Sequence, residues 1–299
     1  MRVVITGGRG FLGRLLADAL TSDGDEVVAL TRGSPAGRNG GPRAVTWTPD
    51  GSVGPWAATL DGAAAVVNLA GESIAGRRWT AAHKDRIRHS RLLATRSVVA
   101  AINGAAAPPP VLVSGSAVGY YGPRGDEVVT EDTPAGSDFL GQVAAAWEAE
   151  AGAARTRRVC IRTGIVLHSR GGALPQMLPP FWFGAGGPVG SGRQYWPWIH
   201  WKDWVDLVRF AIRTESASGP LNATAPNPVT NRDFARALGR ALHRPAFLPA
   251  PAFALRLLLG EMADALLLSG QRVVPARAEQ LGFSFSFRDA EETLQAVLK

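Results

Sequence analysis

The feature that most constrains the fold is a cluster of glycines that follows a short apolar run near the start of the chain. Residues 3–5 read VVI, and the next stretch, TGGRGFLG, spaces Gly7, Gly10 and Gly13 three residues apart. Leucines at helical spacing come next, and a second apolar run begins near residue 26. A buried strand, a tight turn, a helix and a second strand in this order predict a βαβ unit, in which the two strands are parallel.

Further apolar runs predict more strands of the same kind. The stretches AVTW, AAVVNLA, PVLVSGS and RVCIRTGIVL are nearly continuous in apolar residues, as expected of parallel strands buried on both faces. Helices predicted over residues 80–102 and 138–153 separate the later strands. This alternation predicts an α/β fold with a doubly wound parallel sheet.

The composition of the chain changes near residue 170, where Gly, Pro and Trp become frequent. Such stretches are typical of shaped loops rather than of regular repeats. We therefore predict a nucleotide-binding domain over residues 1–165 and a smaller C-terminal substrate lobe over residues 166–299. One strand and helix at about residues 198–214 are expected to return to the sheet of the first domain.

The glycine turn also predicts a ligand. A tight turn, an approach free of side chains and a helix N-terminus together suit the pyrophosphate of a dinucleotide. At the end of the second strand, an NAD site usually carries Asp or Glu, whereas the 2′-phosphate of NADP favours arginine. The chain has Thr31 and Arg32 there and no carboxylate. We therefore predict NADP as the cofactor; the alternative is that Arg32 is a solvated surface charge.

Composition narrows the range of partners and locations. The 299 residues are 46% hydrophobic, carry a net charge of +7 and include one cysteine, Cys160. No apolar run approaches the roughly 18 residues that a membrane span needs, so we expect a cytoplasmic protein without a membrane partner. The arginines are spread along the chain without a Lys/Arg block, which argues against a nucleic-acid partner. The histidines show no metal-ligand spacing, and no metal is expected.

The stretch VSGSAVGYYG places hydroxyl groups at the end of a predicted buried strand. Ser114, Ser116, Tyr120 and Tyr121 could bind a substrate oxygen or transfer a proton there. A tyrosine used in this way needs a nearby cation, because its free pKa is about 10. None of the three lysines of the chain lies between residues 85 and 201.

Several segments together resemble a known family. TGGRGFLG, NLAG, SAVGYYG, RTGIVL and WIHWKD occur in the order and spacing of extended short-chain dehydrogenase/reductases. GGPVGSGRQYWPWIH and GQRVVP resemble, more narrowly, the atypical "epimerase family protein" branch of the NAD-dependent epimerase/dehydratase superfamily, which has its own C-terminal domain. The resemblance spans nearly the whole chain. It implies a Rossmann domain that binds NADP, a small lobe over the nicotinamide end and, as is common among extended members, a homodimer.

The resemblance also implies, by position, which residues form the cofactor site. Those implied to hold the pyrophosphate are Gly7, Gly10, Phe11, Leu12 and Gly13. Thr31 and Arg32 would hold the adenosine phosphate, and Leu69 and Ala70 would lie at the adenine ribose. The set is completed by Arg86 and Arg91 of a basic helix, by Arg162, and by Val166, which would face the nicotinamide.

The catalytic pair usual in this superfamily, a tyrosine four residues before a lysine, is missing from the chain. Phe139 and Val143 stand at the corresponding positions. Phenylalanine has no hydroxyl group and valine has no charge, so neither side chain can supply the usual proton chemistry. The sequence therefore predicts the cofactor pocket more firmly than it predicts the reaction.

Three hypotheses remain open. In the first, the protein is an NADP-dependent oxidoreductase or epimerase on a carbonyl or sugar-nucleotide-like substrate: Ser114 or Ser116 binds the substrate oxygen, Tyr120 or Tyr121 moves the proton, and Arg162 supplies the positive field. In the second, it binds NADP without turnover and acts as a regulator or scaffold. In the third, it is a structural or nucleic-acid-binding protein that is indifferent to nucleotides.

Overall fold

Strands and helices alternate along most of the chain in the computed structural model, which describes residues 1–33 and 42–299. The strands are β1 (Arg2–Thr6), β2 (Glu26–Thr31), β3 (Arg43–Thr46), β4 (Ala65–Asn68), β5 (Val111–Ala117), β6 (Val128–Val129), β7 (Arg157–Thr163), β8 (Ile165–His168), β9 (Gly171–Gly172), β10 (Tyr195–Trp196), β11 (Trp198–His200), β12 (Gly219–Ala223), β13 (Val229–Thr230) and β14 (Arg272–Val273). The helices are α1 (Phe11–Ser22), α2 (Ala81–Gly104), α3 (Phe139–Gly152), α4 (Leu174–Trp182), α5 (Trp201–Arg213), α6 (Asn231–Leu242), α7 (Ala252–Leu259), α8 (Glu261–Ala263), α9 (Ala276–Gln280) and α10 (Ala290–Leu298). Short 3₁₀ turns span Pro55–Thr59 and Val118–Tyr121, and a π-helical turn spans Asp264–Leu268.

A seven-stranded sheet forms the centre of the fold, in the order β12-β7-β5-β4-β1-β2-β3. All neighbouring strands in it pair in parallel. The order reverses between β1 and β4, and such a reversal opens a crevice at the carboxyl ends of the strands. The predicted α/β fold with a doubly wound parallel sheet is confirmed.

Alternate residues of each strand supply the two faces of the sheet. On one face, Val3 and Val113 pack with side chains of α1 and α5 such as Leu16 and Val208. On the other face, Leu112 of β5 packs with α2 and α3 in a second cluster. Because helices cover both faces, the strands must be apolar throughout, which is the pattern that the sequence shows.

The two long helices that flank the second face lie where the sequence predicted them. Thr80 caps α2 by accepting a hydrogen bond from the backbone amide of His83, and Asp138 caps α3 through the amide of Gly141. The predictions over residues 80–102 and 138–153 therefore agree with Ala81–Gly104 and Phe139–Gly152 to within two residues at each end. Side-chain caps of this kind satisfy backbone donors at a helix start.

The prediction that the strand near Trp198 returns to the central sheet is wrong. That strand, β11, pairs instead with β8 in a separate three-stranded sheet, β11-β8-β9. The edge position beside β7 is taken by β12, whose sequence GPLNA carries little apolar signal. Helix α5 does pack on the central sheet, through side chains that include Trp204 and Leu207. An apolar run indicates that a strand is buried, but it does not say which strand it pairs with.

The C-terminal part of the chain builds a second core and then returns to the first. Trp196, Trp198, Phe234 and Leu294 pack together in a cluster formed by α4, α6, α10 and the small strands. Strand β14 then pairs in parallel with β6, beyond the end of β5. The division at residue 165 stays a prediction. Within residues 1–33 and 42–299, the helices are too short or too polar to cross a membrane.

Candidate functional site

The turn between β1 and α1 has room for glycine and for little else. Gly7 has a positive φ of 68°, and a Cβ there would lie 2.7 Å from the carbonyl oxygen of Leu69. A Cβ on Gly13 would lie 2.3 Å from the carbonyl oxygen of Gly7, which also accepts a hydrogen bond from the amide of Gly10 at 2.8 Å. The N-terminus of α1 thus opens, without side chains in the way, at the reversal between β1 and β4. A helix N-terminus in this position favours an anionic ligand.

The two apolar residues that follow this turn contact the rest of the protein. Phe11 begins α1, and its ring lies edge-on to His168 with a centroid distance of 5.5 Å. Leu12 packs partly buried against the core between α1 and the sheet. Val166 is buried in the same core, on the strand that leads to His168. Phe11 and Leu12 can therefore meet a ligand mainly through their backbone amides.

The end of β2 carries a positive charge at the surface. Thr31 is buried, and its hydroxyl donates to the carbonyl oxygen of Gly33 at 3.2 Å. Arg32 lies between them, and its side chain is exposed. The positive charge of Arg32 suits the 2′-phosphate of NADP. The Asp or Glu that would bind the two ribose hydroxyls of NAD is absent from this position of the sequence.

The backbone after β4 is fixed by a buried threonine. The hydroxyl of Thr6 accepts hydrogen bonds from the amides of Leu69 and Ala70, both at 3.2 Å. It donates in turn to the side-chain oxygen of Asn68 at 2.6 Å, and Asn68 donates to Thr95 of α2 at 2.8 Å. These bonds hold Leu69 and Ala70 beside the glycine turn, where the sequence predicted that they would face the cofactor.

The structure does not bring Arg86 and Arg91 together. Arg91 donates to the backbone carbonyl oxygens of Glu72 at 3.0 Å and Ile87 at 2.9 Å. Burial lowers the pKa of Arg91 to about 10, although the carboxylate of Glu72 opposes this shift. Arg86 is exposed, and the partner nearest to it is a ring nitrogen of His83. Arg91 thus supports the loop after β4, and Arg86 remains at the surface.

A buried ion pair connects the ends of β5 and β7 with helix α3. The guanidinium of Arg162 donates to both carboxylate oxygens of Glu148, each at 2.8 Å, and to the hydroxyl of Tyr121 at 2.9 Å. The hydroxyl of Ser116 donates to the same carboxylate at 2.6 Å, and the guanidinium lies 3.5 Å from the ring centroid of Tyr120. Burial disfavours the charge of Arg162, but the Glu148 carboxylate and the Tyr121 oxygen outweigh it and raise its pKa.

Two of the predicted catalytic side chains, those of Tyr121 and Ser114, are buried away from solvent. Tyr121 is fully buried, and its hydroxyl donates to the side-chain oxygen of Asn222 at 2.6 Å while accepting from Arg162. Burial raises the pKa of Tyr121 to about 12, in spite of the positive charge of Arg162. Ser114 is also fully buried. The one proton of the Tyr121 hydroxyl is thus donated to Asn222, and the side chain does not reach solvent, so Tyr121 is a weaker candidate for proton transfer than a tyrosine with a free hydroxyl.

The adjacent tyrosine has the opposite environment. Tyr120 is partly exposed, and its hydroxyl makes no hydrogen bond to any described residue. Its ring rests on Arg162, which is the cation that the sequence required for this stretch. Ser116 is 5% exposed and keeps lone pairs that can accept a hydrogen bond. Of the four predicted catalytic residues, Tyr120 and Ser116 are therefore the two that can face a substrate.

Comparison with protein families agrees with this arrangement. Residues 3–223 match the model of the NAD dependent epimerase/dehydratase family. The chain belongs to this family. Residues 250–297 of this epimerase-family chain also match a domain of unknown function, DUF1731. The predicted resemblance, including a characteristic C-terminal domain, is confirmed.

Similar proteins of the epimerase family are known from plants and animals. The chloroplastic SDR39U1 homolog of Arabidopsis thaliana is 41% identical over 100% of this chain and 87% of its own length. The SDR39U1 protein of Bos taurus is 40% identical over 100% of both chains. The crystal structure of human SDR39U1 with NADPH superposes with a TM-score of 0.90 at 37% identity, covering 99% of each chain.

The positions of the superfamily's usual catalytic pair are filled with apolar contacts in this epimerase-family chain. Phe139 and Val143, on the first turns of α3, pack with Trp79 and with Met262 of the C-terminal segment. The ammonium group of Lys84 lies 4.6 Å from the ring centroid of Phe139. The ammonium group of Lys84, on α2, therefore lies beside the ring of Phe139, but this ring carries no hydroxyl group for it to act on.

Three side chains of this site were missed by sequence reasoning. Glu148 lies four residues after Ala144 on α3, next to the apolar stripe of that helix, and this spacing could have shown that it faces the sheet. Asn222 lies on β12, a strand that was not predicted. Lys84 was expected on the basic face of the helix after residue 80, with Arg88 and Arg91, but its position beside Phe139 was not foreseen. In the described ranges, no group of three or more His, Cys, Asp or Glu side chains is arranged to hold a metal ion.

Proposed function

We propose that this protein binds NADP(H) across the reversal between β1 and β4 and uses it on a small molecule that contains a carbonyl group or resembles a sugar nucleotide. The observation that carries the proposal is the glycine turn, in which Gly7 and Gly13 leave no room for a Cβ, with Arg32 at the neighbouring strand end. The human relative, 37% identical over 99% of this chain, has NADPH in its crystal structure, which supports the same cofactor here.

Each part of the cofactor has candidate partners on this chain. The pyrophosphate is assigned to the backbone of Gly7, Gly10, Phe11, Leu12 and Gly13, because amides at a helix N-terminus bind anionic oxygens. The 2′-phosphate is assigned to Arg32 with the backbone at Thr31, and the adenine ribose to the chain at Leu69 and Ala70. Val166 is assigned to the nicotinamide side, while Arg91 and Arg162 support the site from behind through their hydrogen bonds.

The chemistry is assigned to Tyr120 and Ser116. When bound, NADPH would supply a hydride for a carbonyl carbon. Tyr120 would donate a proton to the carbonyl oxygen, and Arg162 beneath its ring would stabilise the negative phenolate that remains. Ser116, whose hydroxyl proton is donated to Glu148, would accept a hydrogen bond from a hydroxyl group of the substrate next to the carbonyl. This arrangement uses arginine where the superfamily ordinarily uses lysine.

A direct test measures NADPH oxidation with a panel of carbonyl compounds and sugar nucleotides. Replacement of Tyr120 by Phe should lower kcat by about 10²- to 10⁴-fold with little effect on NADPH affinity, because it removes a positioned proton donor. Tyr121→Phe is the matched control and should retain most of the activity, since that hydroxyl is buried away from the crevice. Full activity of the Tyr120→Phe enzyme would remove Tyr120 from the mechanism.

One observation favours a second candidate function, an NADP(H)-binding regulator or scaffold without turnover. Phe139 stands at the usual catalytic position, and apolar side chains of α2, α3 and the C-terminal segment pack around it. Tight NADPH binding with no hydride exchange across the whole substrate panel would support this function. Turnover of any member of the panel would exclude it.

The remaining parts of the proposal concern location and assembly. We propose a cytoplasmic protein that works without nucleic acid and forms a homodimer through helices beside the central strands, as is common in the superfamily. Size-exclusion chromatography with light scattering tests the dimer, for which the expected mass is twice the 31.5 kDa of the chain.

A further inference from the structure

Large apolar side chains are exposed in three neighbouring segments of the C-terminal part of the chain. Outside these segments, the described residues expose only three large apolar side chains, those of Met1, Val53 and Val128. Within the segments, the exposed fractions range from 49% to 86%, and the side chains are Trp182, Phe183, Phe247, Leu248, Phe253, Leu257 and Leu258. Such a concentration of exposed apolar side chains marks an interaction site.

Backbone hydrogen bonds hold the three segments side by side. The amide of Leu248 donates to the carbonyl oxygen of Gly186 at 3.1 Å, and the amide of Ala250 donates to that of Pro188 at 2.8 Å. The loop that follows α4 therefore runs along the stretch that leads into α7. The packing between them is close, because a Cβ on Gly187 would lie 2.1 Å from the carbonyl oxygen of Leu248. The exposed side chains thus belong to one region, the apolar surface.

Helix α7 exposes most of its apolar side chains. All of its residues except Arg256 are apolar, and none of them is buried. Leu259, at its end, packs against the cluster around Phe139. Phe253 and Leu257 lie one turn apart on the same face and are 74% and 79% exposed. Because so short a helix is not stable by itself in water and depends on packing of an apolar face, a partner that covers this face would stabilise α7.

The region around the apolar surface is basic. Residues 169–202 and 234–260 contain the whole apolar surface and no Asp or Glu. A groove lies beside Phe247, at the end of α6, and its charged or titratable lining residues are Arg236, Arg240, His243 and Arg244. The groove thus places guanidinium groups next to an aromatic ring. This combination suits a ligand that carries both apolar and acidic groups.

The arginines of the groove differ in how far their charge is already paired. Arg240 pairs with Glu291 at 2.6 Å, and Arg236 lies 3.7 Å from Asp233 on its own helix. Arg244 is exposed, and its side chain makes no hydrogen bond or ion pair to a described residue. The guanidinium of Arg244 is therefore available to an acidic group of a partner.

Three kinds of partner can cover a surface that is both apolar and basic, and its charges and shape favour one of them. A second copy bound through the same surface would place the arginines of the two copies against each other, which is unfavourable. A lipid membrane is flat on this scale, so it would cover α7 and leave the concave groove unfilled. An amphipathic helix with acidic residues beside its apolar face can fill the groove and pair with its arginines.

We propose that the apolar surface binds an amphipathic helix of a partner protein, in which Asp and Glu residues border the apolar face. The apolar side chains of that helix would pack on Phe247, Phe253 and Leu257, and its carboxylates would pair with Arg244 and Arg236. The inference goes beyond the proposed function and does not depend on it, because the apolar surface shares no residue with the candidate active site.

The test measures the binding of a fluorescein-labelled peptide by fluorescence anisotropy. The probe is a synthetic peptide of about 18 residues, with Leu at helical spacing on one face and Glu on the other. Two control peptides are a scrambled sequence of the same composition and a peptide with Lys in place of Glu. We expect the acidic amphipathic peptide to bind at least about 10-fold more tightly than either control, because only this peptide matches both the apolar surface and its charge.

Matched variants locate the binding on the protein. Leu257→Ser and Arg244→Glu should each weaken binding of the acidic peptide by about 10-fold or more, because each removes a contact that the proposed complex needs. Val128→Ser and Arg155→Glu change an exposed valine and an exposed arginine elsewhere, and they should leave the affinity unchanged. All four side chains are exposed, so the variants are expected to fold like the wild type, which thermal denaturation verifies.

The outcomes distinguish the three kinds of partner. If the acidic peptide does not bind, if the scrambled peptide binds equally well, or if Leu257→Ser and Arg244→Glu bind like the wild type, the inference is wrong. In that case, cosedimentation with vesicles of phosphatidylcholine and phosphatidylglycerol that is lost in Leu257→Ser would assign the surface to a membrane. A dimer that dissociates in Leu257→Ser would assign it to a second copy. None of these measurements uses NADPH, so the proposed NADP(H) function is tested separately.

Discussion

At the scale of single residues, neighbours in the sequence have opposite environments. Tyr120 is partly exposed with an unbonded hydroxyl, whereas Tyr121 is fully buried between Asn222 and Arg162. The stretch VSGSAVGYYG indicated a polar site but could not distinguish these two tyrosines. The reason is that the deciding partners lie 101 and 41 residues away in the chain, on strands whose pairing the sequence does not specify.

The buried ion pair of Glu148 is expected to be far more important for stability than a surface pair on the same helix. Side chains of Arg162 and Glu148 are 3% and 14% exposed, whereas those of Arg96 and Glu150 are 54% and 24% exposed. Glu148→Gln leaves a buried guanidinium without a countercharge and should lower the free energy of unfolding by about 3 to 5 kcal/mol.

The matched control is Glu150→Gln, two residues further along α3, which should cost no more than about 1 kcal/mol. Urea denaturation of both variants provides the comparison. Equal losses of stability would show that the buried pair of Arg162 and Glu148 contributes no more than a surface pair does.

At the scale of elements, local sequence patterns predicted where most helices and strands lie, but they did not predict which strands pair with each other. The β1–α1 turn was predictable because most of its constraints are local: Gly10 and Gly13 both lie against the carbonyl oxygen of Gly7, and only Gly7 itself lies against a distant residue, Leu69. The strand at Trp198 was assigned to the wrong sheet, and Gly219–Ala223 was missed, because register and partner depend on residues far along the chain. That Phe139 lacks a hydroxyl is plain in the sequence, but its burial by Met262 was beyond local reasoning.

The same substitution, glycine to alanine, is expected to have opposite effects in the glycine turn and at the end of α3. Gly13→Ala places a Cβ 2.3 Å from the carbonyl oxygen of Gly7, so we expect a loss of about 1 to 3 kcal/mol in unfolding free energy, together with weaker NADPH binding. Gly152→Ala, at the end of α3, meets nothing within 4 Å and should be neutral or stabilise the protein by up to about 1 kcal/mol. Thermal denaturation with and without NADPH measures both effects, and a stable Gly13→Ala protein with normal affinity would show that the turn is not close-packed.

At the scale of the whole molecule, the C-terminal segment packs back against the elements that flank the central sheet. It contributes Met262 to the cluster around Phe139, pairs Glu261 with Lys84 at 2.8 Å, and places Arg272 next to the turn after β5. Fold class and family were predictable because they follow from motifs spread over nearly the whole chain. The surroundings of Tyr120 were not, because they bring together the turn after β5, Arg162 of β7 and Glu148 of α3, which lie far apart in the chain.

The central claim is that the crevice between β1 and β4 is an NADP(H) site in which Arg32 recognises the 2′-phosphate. Its most direct test is a binding titration of NADPH and NADH against the wild type, Arg32→Gln and, as a control, Arg155→Gln, which alters an exposed arginine elsewhere. The wild type and the control should bind NADPH about 10- to 100-fold more tightly than NADH, and Arg32→Gln should lose this preference. Equal affinity of the wild type for the two cofactors, or no binding of either, would contradict the claim.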